Sequence, residues 1–190
     1  MKLDPSKTAV LTLDLQTGIL ASNAIYDGII PSAAKIVELA RQKNYFLIHV
    51  GLGFSEGHPE IPDLETLFLR VKQNNLFVKG SASAAFHSAI FQPHDLIIYK
   101  QRIAAFSDNH LNLTLRARGI ENLVLLGIAT SGIVLSTVTR AFDLDYKLTI
   151  ISDACADADP EVHRILTEKV FIKRGKVIAA DEFMAEQAYE

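Results

Sequence analysis

Two oppositely charged residues stand where apolar runs of this chain give way to polar sequence. The run Thr8–Leu13 (TAVLTL) ends in Asp14, with Leu15 and Gln16 next, and the run Leu96–Tyr99 (LIIY) ends in Lys100, Gln101 and Arg102, with Ala104, Ala105 and Phe106 following. A carboxyl group can pass a proton to or from a reacting atom, and an ammonium can hold developing negative charge. A third run, Leu123–Ile128, ends in the turn Gly127-Ile128-Ala129-Thr130-Ser131-Gly132 and enters a helix at Ile133. The unpaired N–H groups at such a helix start are donors for an oxyanion. Lys147–Ile151 ends in Ser152 and Asp153. Gathered at one edge, these residues form an acid, a base and a helix N-terminus.

Each has a plainer use as well. Asp14 and Lys100 could form a partly buried ion pair that fixes a sheet edge. Gln16 and Arg102 could orient a substrate or cap strand ends. Ser131 suits a helix cap better than a nucleophile. Cys155, the one thiol of the chain, suits a small buried hydrophobe better than a substitute nucleophile.

The runs themselves say what must position these groups. Thr8–Leu13, Tyr45–Val50, Leu96–Tyr99, Leu123–Ile128, Lys147–Ile151 and a weaker Lys176–Ala179 are short, nearly continuous and rich in β-branched residues. They read as strands of a parallel sheet buried on both faces. Segments of helical period lie between them: Pro31–Lys43, Asp108–Arg118 closed by Gly119, Ile133–Phe142, and Pro160–Val170 opening on Asp159-Pro160 as N-cap and first position. Strand and helix in alternation predict a three-layer α/β/α, doubly wound, mostly parallel six-stranded sheet in one domain over residues 1–190. Ligand chemistry in such a sheet belongs beyond the carboxyl ends of the strands. Residues Gly51 to Phe91 break the rhythm with Gly and Pro, leaving one short helix, Leu64–Lys72. An insertion of this kind often supplies substrate or subunit contacts.

Asp14-Leu-Gln16, Lys100-Gln-Arg102 with Ala105-Phe106, Gly127-Ile-Ala-Thr130-Ser-Gly-Ile133-Val134 and Asp153-Ala154 together resemble the isochorismatase-like hydrolase superfamily, which includes nicotinamidases, carbamoylsarcosine amidases and isochorismatases. The resemblance runs from Lys7 to about Ile178. It implies, for most members, a cysteine hydrolase: an Asp takes the thiol proton, a Lys stabilises charge, and a thiolate at the helix N-terminus attacks an amide carbon. N–H groups of the turn, one of them presented by a cis peptide, receive the oxyanion. Asp14, Lys100 and the turn residues Ala129 and Thr130 match that pattern.

The nucleophile position does not. Where the family reads Gly-x-x-Thr-x-x-Cys-Val, this chain has Ile133, which has no acidic proton or lone pair and forms no thioester. The resemblance implies that isochorismatase members, which also lack the cysteine, use the equivalent Asp as a proton donor in cleaving an enol ether. Those members carry a small residue at the position, so Ile133 should leave less room. Three readings follow. One is a hydrolase of a small carbonyl, amide or enol-ether compound without a cysteine nucleophile, with Asp14 as proton donor or shuttle, Lys100 as charge stabiliser, and Gln16, Arg102, Phe106, Ala129, Thr130 and Ser131 around the substrate. A second is a catalytically silent relative that binds a small molecule or serves as a subunit. A third is an amide hydrolase whose nucleophile has moved to Cys155 or Ser131.

Composition bounds the partners. Nineteen basic and twenty-two acidic residues leave a net charge of −3 with no block of one sign, which argues against nucleic acid and anionic membranes. A mean hydropathy of +0.19 is high, yet no apolar run approaches the roughly 18 residues of a membrane span. The apolar excess and the family's habit of association predict a homodimer or homotetramer. A lone cysteine and an N-terminus, MKLDPSK, without an apolar stretch point to a reducing, cytoplasmic home. Nicotinamidase-like members hold a metal through an Asp-x-His arrangement after the second strand. Here His49 lies within a strand and His58 in a Gly/Pro loop expected to be solvated, so neither metal nor other cofactor is expected. The acids Asp153, Asp157, Asp159 and Glu161 are read as a loop and an acidic first helical turn.

Overall fold

The computed structural model describes residues 2–64 and 67–188. Six strands, β1 (Thr8–Leu13), β2 (Phe46–Leu52), β3 (Leu96–Lys100), β4 (Asn122–Ile128), β5 (Lys147–Ala156) and β6 (Lys176–Ile178), form one sheet in the order β3-β2-β1-β4-β5-β6. Every pairing is parallel. Successive side chains of β1 and β4 serve opposite faces: Val10, Val124 and Leu126 pack into one core cluster, and Ala9, Leu11, Leu13, Leu123 and Leu125 into the other. That two-sided burial is why the strands read as unbroken apolar runs.

Among the described residues seven α-helices follow in chain order: α1 (Thr17–Leu20), α2 (Ile30–Gln42), α3 (Leu67–Gln73), α4 (Leu111–Ala117), α5 (Leu135–Asp143), α6 (Pro160–Ile165) and α7 (Ala180–Ala188). α2 and α7 cover one face through Ile36, Val37, Ala40 and Phe183. α4 and α5 cover the other through Leu111, Leu115, Val138 and Ala141. None of them is long and apolar enough to cross a membrane among the described residues.

Several boundaries differ from the sequence expectation for identifiable reasons. α4 begins at Leu111, not Asp108, because Asp108 is left-handed (φ 49) and Asn109 Oδ1 accepts the Leu111 N–H at 2.9 Å. The helix expected from Ile133 is preceded by a wide turn, Thr130–Val134, in which Gly132 leaves helical geometry (φ −95, ψ −107), so α5 starts at Leu135. The Asp159 cap forms as expected, its carboxylate accepting the Glu161 N–H at 2.9 Å. α7 was not foreseen, and it is tied to a second surprise. β5 does not stop at Ile151: its register against β4 slips between Leu125↔Ile150 and Gly127↔Cys155, and it continues to Ala156. Asp153 in that irregular stretch caps α7 through Ala180 N–H at 2.7 Å and accepts Ser32 Oγ at 2.9 Å. Asp153 is therefore a helix anchor within β5 and does not stand at the strand end where it was expected.

The Gly51–Phe91 insertion contains α3 and a 3-10 turn at Ala82–Ala84, with residues 65 and 66 of the expected Leu64–Lys72 helix outside the described residues. It builds a satellite core from Leu52, Phe54, Ile61 and Phe77. His58 is buried there, contrary to expectation, with Nε2 2.7 Å from the Leu76 carbonyl and its ring 5.3 Å from that of Phe54.

Candidate active site

The sheet order reverses direction between β1 and β4, so the crevice of this fold opens where those two strands end. Gly127 makes the close approach possible. Its φ is +146, and a Cβ there would lie 2.0 Å from the Leu13 carbonyl oxygen. The Ile128–Ala129 peptide that follows is cis. On the β1 side, Asp14 is itself left-handed (φ 57), a conformation its short polar side chain tolerates better than most. Its N–H donates to the Val50 carbonyl at 2.8 Å, which fastens the strand end to β2.

Lys100, at the end of β3, reaches across β2 to Asp14. The Nζ–Oδ2 distance is 2.9 Å, with the side chains 1% and 9% exposed. The ammonium also donates to the Arg102 carbonyl at 3.1 Å. Asp14 Oδ1, by contrast, is buried with no hydrogen-bond partner. Burial pushes the Asp14 carboxyl above the ordinary aspartate range, and the neighbouring Lys100 charge pulls it only part of the way back. A carboxyl held this way keeps a proton to higher pH than an exposed one and has an oxygen free to deliver it.

Asp14 and Lys100 open into a cavity of about 450 Å³ together with Ile128, Ala129, Gly132 and Ile133. Ile133 is 2% exposed and forms part of the floor without filling the space. The opposite wall is apolar and comes largely from α1 and the insertion, notably Ile19, Leu67, Phe68, Val71 and Phe77, with Tyr26 closing one side. These wall residues escaped the sequence reading. The usable signal was the apolar period of the insertion helix and the Thr17-Gly18-Ile19-Leu20 segment directly after the Asp14 strand end.

The other expected site residues serve the walls from outside the cavity lining. The Gln16 amide, wholly buried, donates to the Leu52 and Ala84 carbonyls at 2.8 Å each and accepts the Leu52 N–H at 2.7 Å, stitching the insertion to the sheet. The Arg102 guanidinium donates to the Gln101 and Glu60 carbonyls at 2.6 and 3.1 Å. Phe106 stacks on Tyr146 with centroids 6.3 Å apart. Thr130 Oγ1 lies 2.8 Å from His163 Nδ1, and the Ser131 N–H donates to Asp157 Oδ2 at 2.7 Å. Both contacts brace the turn against the end of β5 and α6.

Cys155 sits on β5 opposite Gly127 and belongs to the core cluster under α5. Burial pushes its thiol up to about 12. His49 is bonded inside the core, Nδ1 2.7 Å from Thr12 Oγ1 and Nε2 3.2 Å from Asp95 Oδ2. Among the described residues no group of three or more His, Cys, Asp or Glu side chains is placed to hold a metal ion.

Residues 8–182 match the model of the isochorismatase domain. The chain belongs to the isochorismatase family. An uncharacterized isochorismatase family protein of Bacillus subtilis is 31% identical over 190 residues, covering 97% of this chain and 96% of that protein. A probable inactive nicotinamidase of Arabidopsis thaliana is 32% identical over 168 residues, covering 82% and 84%. Among solved structures, a cysteine hydrolase from Pseudomonas syringae superposes with a TM-score of 0.88 at 22% identity over 100% of this chain and 97% of that one. This isochorismatase-family chain thus has the family's sheet, with a paired carboxylate and ammonium at the switch point.

Proposed function

We propose that the protein is an isochorismatase-like hydrolase that works without a cysteine nucleophile, Asp14 serving as proton donor and shuttle and Lys100 holding the charge that remains. The observation that carries this reading is Asp14 itself. Lys100 occupies one carboxyl oxygen at 2.9 Å, while the other is buried and unpartnered on a residue that lines the cavity. For an enol ether, the Asp14 proton adds to the double-bond carbon and leaves an oxocarbenium ion beside a carboxylate that Lys100 keeps stable. Water adds to the cation, its spare proton returns to Asp14, and the hemiketal breaks its C–O bond to give an alcohol and a ketone. No bond to the protein forms at any step. In cysteine hydrolases of the resemblance the thiol stands where this chain has Ile133, and Ile133 supplies only apolar surface.

A relocated nucleophile has less support. The Cys155 thiol lies outside the cavity lining with too little thiolate character to attack at neutral pH. Ser131 likewise lies outside that lining, and its N–H is committed to Asp157. The second reading, a silent relative that binds a small molecule, draws on the branched side chain of Ile133 at the floor and on the Arabidopsis relative that is named inactive.

A hydrolysis screen of small enol ethers, esters and amides separates the two. The proposed mechanism expects turnover by the wild type and a loss of about 100-fold or more in Asp14→Asn, the usual scale for a general acid. No turnover of any of these compounds by the wild type, with amide hydrolysis appearing only in Ile133→Cys, would overturn it in favour of the silent reading.

A further inference from the structure

Resting on the hydrolase reading above, we infer that Asp157 and His163 are positioning residues of the reaction, which touch no substrate and hold the turn after β4 in the place that proton transfer from Asp14 requires. Ala129, Gly132 and Ile133 of that turn line the cavity with Asp14, whereas Asp157 and His163 lie outside the lining. The turn is loosely built from within. Gly132 breaks the helical path (φ −95, ψ −107), and the Ala129 carbonyl receives both the Gly132 and the Val134 N–H, at 3.0 and 3.3 Å. Ser136 Oγ ties the Gly132 carbonyl to α5 at 2.8 Å. The other half, Thr130 and Ser131, is held from the end of β5 and from α6.

Asp157 Oδ2 accepts the Ser131 N–H at 2.7 Å and Oδ1 the Asp159 N–H at 3.3 Å, so one carboxylate joins the turn to the loop that opens α6. His163 Nδ1 lies 2.8 Å from Oγ1 of the wholly buried Thr130. The histidine is itself fixed in α6, its N–H donating to the Asp159 carbonyl at 3.1 Å and its carbonyl accepting Thr167 Oγ1 at 2.9 Å. Asp157 is 7% exposed and forms no ion pair among the described residues. A carboxylate without a counter-ion is costly to bury, but it binds both N–H groups at once and each more strongly than a neutral acceptor does. That choice favours a rigid turn over chain stability. The same acid reaches Tyr26 on the cavity wall, where burial first and the Asp157 charge second hold the phenol proton more tightly than usual. One buried acid thus stands behind two parts of the lining. Proton transfer needs substrate within hydrogen-bond reach of Asp14, and a misplacement of about 1 Å can cost about 100-fold in rate.

Hydrogen exchange and kinetics of Asp157→Ala, Asp157→Asn and His163→Ala test this. Loss of one bond alone speeds exchange of the Ser131 amide, whereas loosening of the turn also speeds Gly132 and Val134, whose acceptor lies within the turn. Relative to Leu11 in the core of β1, which reports global opening, Gly132 and Val134 are expected to exchange about tenfold faster or more in both alanine variants, with Asp157→Asn between them and the wild type. Hydrolysis of ethyl vinyl ether, phenyl acetate and benzamide is followed alongside. For any of these that the wild type turns over, kcat should fall by about tenfold to 100-fold while KM moves by less than about threefold. A residue that serves stability alone would lower the protection of Leu11 and Gly132 together and leave kcat of the folded chain unchanged. Exchange of Gly132 and Val134 unmoved relative to Leu11, Asp157→Asn as damaging as Asp157→Ala, or a change confined to KM would each overturn the inference. A wild type silent toward all three compounds would count against the hydrolase reading, and the exchange measurements would still decide whether the pair holds the turn.

Discussion

At the scale of single residues, the proposed chemistry rests on how one carboxyl group is held. Asp14 is buried, so its charged form lacks hydration, and Lys100 supplies a single compensating contact. Replacing Lys100 by Met removes the cation that holds the Asp14 pKa down, so the Asp14 pKa should rise further. Any activity that needs the protonated acid should then persist to higher pH, with the falling limb of kcat/KM displaced in the alkaline direction. Carboxyl infrared difference spectra of wild type and variant would detect the same displacement without relying on turnover, and a shift toward acid would contradict the assignment. Asp14 and Lys100 were legible from sequence because a residue that ends a parallel strand is delivered to the crevice whatever its side chain does next. Gln16 and Phe106 were not, since two and six residues further on the direction of the side chain depends on the local backbone. The Gln16 amide turns to the carbonyls of the insertion, and the Phe106 ring to Tyr146.

At the scale of elements, the turn after β4 is the part most exposed to a small change. Gly127 combines a backbone conformation that L side chains rarely adopt with contact against the Leu13 carbonyl. Gly127→Ala should cost about 2–4 kcal/mol, the range of severe backbone and packing conflicts, measured by denaturant unfolding, and should disturb Ala129 and Gly132 in the cavity. A variant of wild-type stability would show that the strand ends can separate freely. The Asp159 cap is a milder case: Asp159→Ala should lose about 1 kcal/mol by the same measurement, because one N–H of α6 then lacks its partner. β5 shows why element ends were harder to read than element centres. Lys147–Ile151 carries the apolar signal, but the strand's extension to Ala156 is created by pairing of Cys155 and Ala156 with β4 and by the Asp153 bond to α7. Neither partner is near in sequence, so no local pattern could report it.

At the scale of the whole molecule, the two-sided sheet encloses a titratable group whose effect is global. His49 is wholly buried, and that burial holds its pKa below the ordinary histidine value, the Asp95 carboxylate offsetting only part of the shift. The folded chain therefore binds fewer protons here than the unfolded one as pH falls below about 6.5. Unfolding free energy should be full above that pH and decline below it, and His49→Gln should flatten that part of the profile. Parallel pH series of denaturant midpoints for the two proteins would show whether the slopes differ, and identical slopes would remove His49 from the account. What the sequence determined by itself was the parallel sheet, its helical cover, the family pattern, and the placing of a carboxylate and an ammonium at the strand ends. All of these follow from local apolar period and from the rule that strand ends face the crevice. Only the tertiary structure decided that Ile133 floors an open cavity, that α1 and the insertion close it with apolar side chains, and that Asp14 keeps one oxygen free. Those facts depend on contacts between segments tens of residues apart, where shape and burial, rather than residue type, set the outcome.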